Sequence, residues 1–228
     1  MRYAVYFTPA ADHPLTHSAS AWLGRNVFTG DTSTLEKRDT FDAASLKTLT
    51  DDPRRYGFHA TLKAPFELAN DCAEVELVTA FEGFCKSHAA FDIPAIVVGQ
   101  LGAFFALVPQ APSPKLQDFA ASVVRAFEPF RAPLGEADIA RRNPERLSES
   151  QRYNLFNFGY PYIFENFRFH MTLTGPVSGE QAPVMADVLQ REFADHTGQP
   201  LSLNGLALCV EAERGAPFLV HSWQPLAA

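Results

Sequence analysis

"YGFHATLKAPF", Tyr56 to Phe66, and "FRFHMTLTGP", Phe167 to Pro176, share a core of His, any residue, Thr and Leu, each behind a Phe and ahead of a proline. In an extended segment, residues i and i+2 share a face. His59 with Thr61, and His170 with Thr172, therefore project as pairs. Phe58, Ala60 and Leu62, like Phe169, Met171 and Leu173, turn an apolar face the other way. The pattern predicts two strands, each with a core side and a polar side.

The surroundings of the two motifs also correspond. After the first, Asp71 and Glu74 read as a capping box opening a helix whose one face carries Leu77, Val78, Phe81, Phe84 and Cys85. "FDIPAIVVGQLGAFFALVP" then reads as two strands turning around Gly99 to Gly102. After the second, Ser178 and Gln181 open a helix to about His196, and two more strands turn near Arg214 and Gly215. His59 and His170 stand 111 positions apart (170 − 59), and the same offset carries Ile96–Leu101 onto Ala207–Ala212, again strand.

Outside the duplicated unit, "YAVYFTP" (Tyr3 to Pro9) reads as a strand, and helices are expected over Leu15–Leu23 and Phe41–Leu49. The first motif strand is expected to stop at Pro65. Ser113 and Pro114 supply an N-cap and a first helical residue, and Leu116, Phe119, Ala120, Val123, Val124 and Phe127 give an amphipathic helix. The stretch 129–166 shows no strong period and is too long for a mere connection, so it reads as a specificity insertion or lid. The resulting fold is α+β, a single domain over residues 1–228 with two pseudo-symmetric lobes. Each lobe is an antiparallel sheet with outer helices, and the lobes flank a central cleft.

Composition narrows the function. The chain has 228 residues, is 46% hydrophobic and carries a formal charge of −7, which argues against coating a long nucleic acid, a mode that needs a basic face. Cys72, Cys85 and Cys209 form no Cys-x-x-Cys pair and read as reduced thiols of a cytoplasmic protein. The first residues lack the apolar run of a signal peptide, and no stretch has the length of a membrane span. Neither G-x-x-x-x-G-K-[ST] nor G-x-G-x-x-G occurs, so nucleotide-motor and dinucleotide chemistry is not expected.

If the two motif strands pack about a pseudo-twofold, two imidazoles and two hydroxyls meet in one cleft. Histidine titrates near neutrality, so one copy can take a proton from an attacking oxygen while the other gives one to the leaving oxygen. A threonine hydroxyl can donate to a non-bridging phosphate oxygen as charge builds on it. These are the parts of a phosphodiester-cleaving site that asks for no metal or other cofactor.

Two H-x-T-hydrophobic motifs on strands of a duplicated α+β unit resemble the two-histidine phosphoesterase superfamily. The longer strings "YGFHATLKAPF" and "GYPYIFENFRFHMTLTGP" are similar to a branch of it found beside phosphonate-degradation genes. The resemblance implies that His59 and His170 are catalytic and that Thr61 and Thr172 bind phosphate. It also implies a small cyclic phosphate as substrate, either a nucleoside or RNA-end 2′,3′-cyclic phosphate or a ribose cyclic phosphate.

Around this core, Arg54, Arg55, Arg141 and Arg142 are the cations placed to offset a substrate phosphate. Lys63 shares a strand side with Thr61 and is a further candidate, or simply the solvent end of the strand. Tyr56, Tyr160 and Tyr162 are candidates to stack on a base or ribose, with core packing as the alternative for at least one. His13 and His17, spaced i and i+4, define a rival metal-dependent phosphohydrolase. A second rival is a non-catalytic sensor of a phosphorylated metabolite.

Overall fold

In the computed structural model, which describes residues 1–228, the chain runs β1 (Arg2–Phe7), α1 (Pro14–Leu23), α2 (Ala43–Leu49), α3 (Asp51–Tyr56) and β2 (Ala60–Phe66). It continues with α4 (Glu74–Ser87), β3 (Phe91–Ile93), β4 (Ile96–Leu101), β5 (Phe104–Pro109) and α5 (Pro114–Phe127). The second half holds α6 (Glu136–Arg141), α7 (Glu149–Phe158), β6 (Met171–Thr172), α8 (Ala182–Glu192), β7 (Leu201–Leu203), β8 (Gly205–Glu211) and β9 (Leu219–Pro225). No helix is long and apolar enough to cross a membrane.

All strand pairs within the three sheets are antiparallel: β2-β1-β8-β9, β4-β5-β6, and the short pair β3-β7. The expected α+β class with antiparallel sheets is the one observed. The duplication is laid out differently from a simple pair of self-contained units. The first motif strand, β2, shares its sheet with the second hairpin, β8-β9, and the second motif strand, β6, pairs with the first hairpin, β4-β5. Helices α4 and α8 follow the same exchange, α4 packing on β8 and β9, and α8 on β4.

The crossing point is the β3-β7 pair, where Asp92 faces Ser202, 110 positions away (202 − 92). An antiparallel pair is two-fold symmetric about its own centre, so the pseudo-dyad relating the halves passes through it. Each hairpin is thereby delivered to the opposite lobe. One large core spans both halves, with Leu62, Phe81 and Leu107 from the first buried in the same cluster as Met171, Leu189 and Leu203 from the second, and a small separate cluster gathers Tyr6, Cys209 and Phe218. Strand β1 has no counterpart in the three-stranded sheet, which breaks the symmetry.

Several local expectations need correction. β2 runs through Pro65 to Phe66, because it is the edge strand of its sheet and a proline there forfeits no ladder bond. The helix after the first motif is capped at Ala73, whose N–H donates to Glu76 Oε2 at 2.7 Å, rather than by Asp71 and Glu74. Ser113 does cap α5, accepting from the Leu116 N–H. Ser178 accepts from Gln181 N–H at 3.3 Å, just before α8. The aperiodic stretch contains α6 and α7, the latter opened by a Ser148/Gln151 capping box. Around the second motif only Met171–Thr172 is regular strand.

Candidate active site

The apolar side of each motif is buried as expected: Phe58, Ala60 and Leu62 in one, Phe169, Met171 and Leu173 in the other. This anchors the polar side toward the space between the two sheets, where β2 and β6 lie next to each other. A cleft of about 300 Å³ opens there, lined by His59 and Thr172 together with Tyr56 and Phe104. The two motifs thus contribute to one site.

Both imidazoles are held in the same way. His59 Nδ1 lies 2.8 Å from the Gly57 carbonyl oxygen, and His170 Nδ1 lies 2.7 Å from that of Arg168, each two residues upstream. A carbonyl only accepts, so Nδ1 carries the proton and Nε2 is the basic nitrogen of the neutral ring. At His59 that Nε2 is 3.2 Å from Thr61 Oγ1, so the hydroxyl donates to it. Gly57 has φ of +77°, and a Cβ there would come within 2.4 Å of Val27, so the turn into the motif needs glycine.

Burial pushes His59 down to about 4, against the opposing pull of the Gly57 carbonyl, with the charge of His170 adding to the depression. Burial also lowers His170, opposed by the Arg168 carbonyl. His59 stacks on Tyr6 with ring centroids 3.9 Å apart, and Phe104 stands 5.8 Å from His170. Tyr6 is fully buried, and its hydroxyl makes no hydrogen bond.

Of the cations expected to serve the site, Arg55, Arg141 and Arg142 line a recess that adjoins the cleft through Tyr56. Arg54 does not reach it. Its guanidinium donates to the carbonyls of Leu23 and Lys47 and to Thr50 Oγ1, tying α3 to α1 and α2, and it faces a different cavity. Lys63 is also turned away. It is buried and paired with Glu128, because the bulge between Val5 and Tyr6 in the β1–β2 register rotates the strand beyond Thr61. Tyr56 borders the cleft, 5.9 Å from His59 between ring centroids. Tyr160 is half-buried beneath Arg142, and the exposed Tyr162 meets it edge-on. His13 uses its Nδ1 to accept the Leu15 N–H at 3.1 Å, capping α1.

Residues that reading the motifs did not single out are Tyr6, Phe104, Thr174, Arg2 and Arg214. Tyr6 and Arg2 lie on β1, which pairs with the first motif strand, whereas Phe104 and Arg214 belong to the exchanged hairpins β4-β5 and β8-β9. Thr174 sits at the motif spacing, two residues past Thr172, and its hydroxyl accepts the Phe105 N–H at 3.0 Å, locking β6 beside β5.

Two curated relatives align along nearly the whole chain. One, from Janthinobacterium sp. (strain Marseille), named ribose 1,5-bisphosphate phosphokinase PhnN, is 36% identical over 227 residues, 98% of this chain and 50% of the relative. The other, of the same name from Laribacter hongkongensis (strain HLHK9), is 30% identical over 226 residues, 96% of this chain and 50% of the relative. The chain thus spans about half the length of the curated relatives it matches. Among solved structures, one described as a phosphoesterase and one as E. coli LigT complexed with 3′-AMP each align at 12% identity with a TM-score of 0.42. They cover 100% of this chain and 99% and 98% of theirs. A family model described as protein of unknown function (DUF1045) matches residues 61–219, a span that includes Thr61, His170 and Thr172. The chain belongs to that DUF1045 family.

Proposed function

We propose that the chain is a metal-independent phosphodiesterase that hydrolyses a small cyclic phosphate by two-histidine general acid/base catalysis. The observation that carries this reading is the matched pair of imidazoles. Each has Nδ1 fixed by the carbonyl two residues back, which leaves Nε2 as the proton carrier. A site that only sensed a phosphate would have no use for two such groups.

In the proposed step, His59 Nε2 takes a proton from water as its oxygen attacks phosphorus. The bond from phosphorus to one ring oxygen breaks, and protonated His170 delivers its proton to that oxygen. The product is a phosphomonoester with a free hydroxyl. The two histidines end with their protonation states exchanged and are reset by solvent. His59 is assigned as the base because its stronger depression, to about 4, keeps it neutral. Thr61 and Thr172 turn their hydroxyls to the non-bridging oxygens, where negative charge grows. Tyr56, Tyr160 and Tyr162 border the sugar or base, and the helical stretch 129–166 acts as the specificity insertion that carries Arg141, Arg142 and the last two of these tyrosines.

The substrate is a nucleoside or RNA-end 2′,3′-cyclic phosphate or a ribose cyclic phosphate. The resemblance to the phosphonate-associated branch favours the ribose compound, and so does the name of the relatives. A kinase of ribose 1,5-bisphosphate needs a supply of a ribose bisphosphate, and opening a phosphorylated ribose cyclic phosphate gives one. Incubating the purified protein with a panel of cyclic phosphates, and assigning the products by phosphorus NMR, tests the reading. Ring opening to a single regioisomer is expected, and inertness toward every member would sink it.

Activity should persist in excess EDTA, because the site as read handles the proton and the charge with side chains alone. Loss that is restored by adding back a divalent cation would favour the metal rival. The pH dependence of kcat/KM should be a bell displaced to the acid side. Its rise, as His59 loses its proton, is expected near pH 4, and its fall, as His170 loses its proton, below that group's ordinary 6.5. A profile still rising through pH 8 would remove His170 from the role of acid.

A further inference from the structure

We propose that the arginine-lined recess beside the cleft is a second phosphate site. It would hold a terminal phosphomonoester of the same substrate whose cyclic phosphate lies between the histidines. The proposal rests on the reading of the cleft as a phosphodiesterase site and adds to it a substrate that is phosphorylated twice.

The recess, of about 390 Å³, is lined by Arg2, Arg55, Arg141, Arg142 and Arg214, with Tyr56 on the side of the cleft. Five guanidinium groups converge there in a chain whose net charge is −7. Three carboxylates offset part of that charge. Glu211 pairs with Arg2 at 2.5 Å and Arg55 at 3.1 Å, Asp138 with Arg141 at 2.9 Å and Arg214 at 2.6 Å, and Glu67 with Arg214 at 2.8 Å. Five cations against three anions leave two positive charges (5 − 3), and Arg142 has no carboxylate partner at all, its guanidinium lying 5.0 Å over the Tyr160 ring. A network built only for stability would be expected to come closer to balance. The surplus matches a phosphomonoester, which carries about −1.5 to −2 near neutrality, better than the single charge of a cyclic diester.

Glu211 is wholly buried and also accepts the Gly215 N–H at 2.9 Å, so it fixes Arg2 and Arg55 rather than competing for solvent. Planar guanidinium forks held in this way are suited to phosphate oxygens. Tyr56 forms the shared wall. Arg55 Cζ lies 4.2 Å from its ring centre, and that ring centre is 5.9 Å from His59, so Arg55 and His59 are at most about 10 Å apart. A single pentose with a cyclic phosphate at one end and a phosphomonoester at the other fits that separation, with the sugar against Tyr56. The recess therefore selects a 5-phosphorylated ribose cyclic phosphate over a nucleoside 2′,3′-cyclic phosphate that ends in a free 5′-hydroxyl.

The test compares kcat/KM for a ribose cyclic phosphate bearing a 5-phosphate with that for its 5-hydroxyl counterpart. It uses the wild-type protein and Arg142→Gln, a variant that breaks no ion pair. Calorimetric binding of ribose 5-phosphate to the wild type, Arg142→Gln and His59→Ala runs alongside. The wild type should favour the phosphorylated compound by roughly 10- to 100-fold, the worth of one or more charge-assisted bonds, and Arg142→Gln should shrink that ratio. Ribose 5-phosphate should bind His59→Ala like the wild type and Arg142→Gln about 10-fold more weakly. Equal turnover of both compounds overturns the second site while leaving the cleft reading intact. So does ribose 5-phosphate binding that ignores Arg142. Should no cyclic phosphate be opened while ribose 5-phosphate still binds through Arg142, the recess stands and the cleft reading falls.

Discussion

Replacing His59 or His170 by Ala is expected to lower kcat/KM toward the cyclic phosphate by roughly 10²–10⁴-fold each, the usual worth of a positioned acid or base. The two losses should not multiply, because both groups act in one proton-relay step, and the double variant should be little worse than either single one. Each substitution also strips the partner from a carbonyl, that of Gly57 or Arg168. An unpaired carbonyl costs about 1–3 kcal/mol when buried, so the thermal midpoint must be recorded with the rate. The roles separate with the leaving group. On a p-nitrophenyl phosphodiester, whose leaving phenolate needs no proton, His170→Ala should recover most of its deficit and His59→Ala should not. The reverse pattern would exchange base and acid, and a single variant with near wild-type turnover would remove that residue from the mechanism.

The centre of the candidate site was legible because it is local. A strand's period of two places His59 with Thr61 and His170 with Thr172 on one face, and the buried Phe58, Leu62, Met171 and Leu173 show that the opposite face is core. The repeat also made the doubled unit visible, but not the exchange. Whether a hairpin pairs with its own motif strand or with the other's is decided at β3 and β7, three residues each, whose pairing leaves no mark in composition. Arg214 was hidden for the same reason, lying on the turn of the exchanged β8-β9 hairpin, and Arg2 because its strand β1 stands outside the repeat. Lys63 and Arg54 mislead in the other direction. Both have the right charge at the right distance in sequence, and a bulge in one case and a helix-to-helix tie in the other commit them elsewhere. Helices α6 and α7 escaped notice because neither presents a strongly apolar stripe. No residue of α6 is buried, and α7 buries only Asn154 and Leu155.

Thr61→Val and Thr172→Val are each expected to slow turnover by roughly 10²–10³-fold, the cost of losing one preorganised donor to developing charge. Valine keeps the branched shape and the strand preference, so the fold should be little disturbed. Thr→Ser, which keeps the donor, should restore most of the rate, and a rescue of this kind distinguishes a hydrogen bond from packing. The two threonines should nevertheless differ in one respect. Thr61 Oγ1 lies 3.2 Å from His59 Nε2, whereas no such bond joins Thr172 to His170. A hydroxyl that donates to the neutral imidazole favours the unprotonated ring. Removing it should let His59 hold its proton to higher pH, so the acid limb of the kcat/KM profile should move upward from about 4 in Thr61→Val and stay in place in Thr172→Val. In the resting site the Thr61 hydroxyl covers the nitrogen that must receive the proton, and a bound phosphate oxygen, as the stronger acceptor, draws it off. The same hydroxyl would then keep the base neutral before substrate arrives and stabilise the substrate's charge afterwards. If the limb is unmoved in Thr61→Val while the rate falls as expected, Thr61 acts on the phosphate alone. If neither variant slows the reaction, the hydroxyls do not meet the phosphate, and the geometry read from the two motifs is wrong.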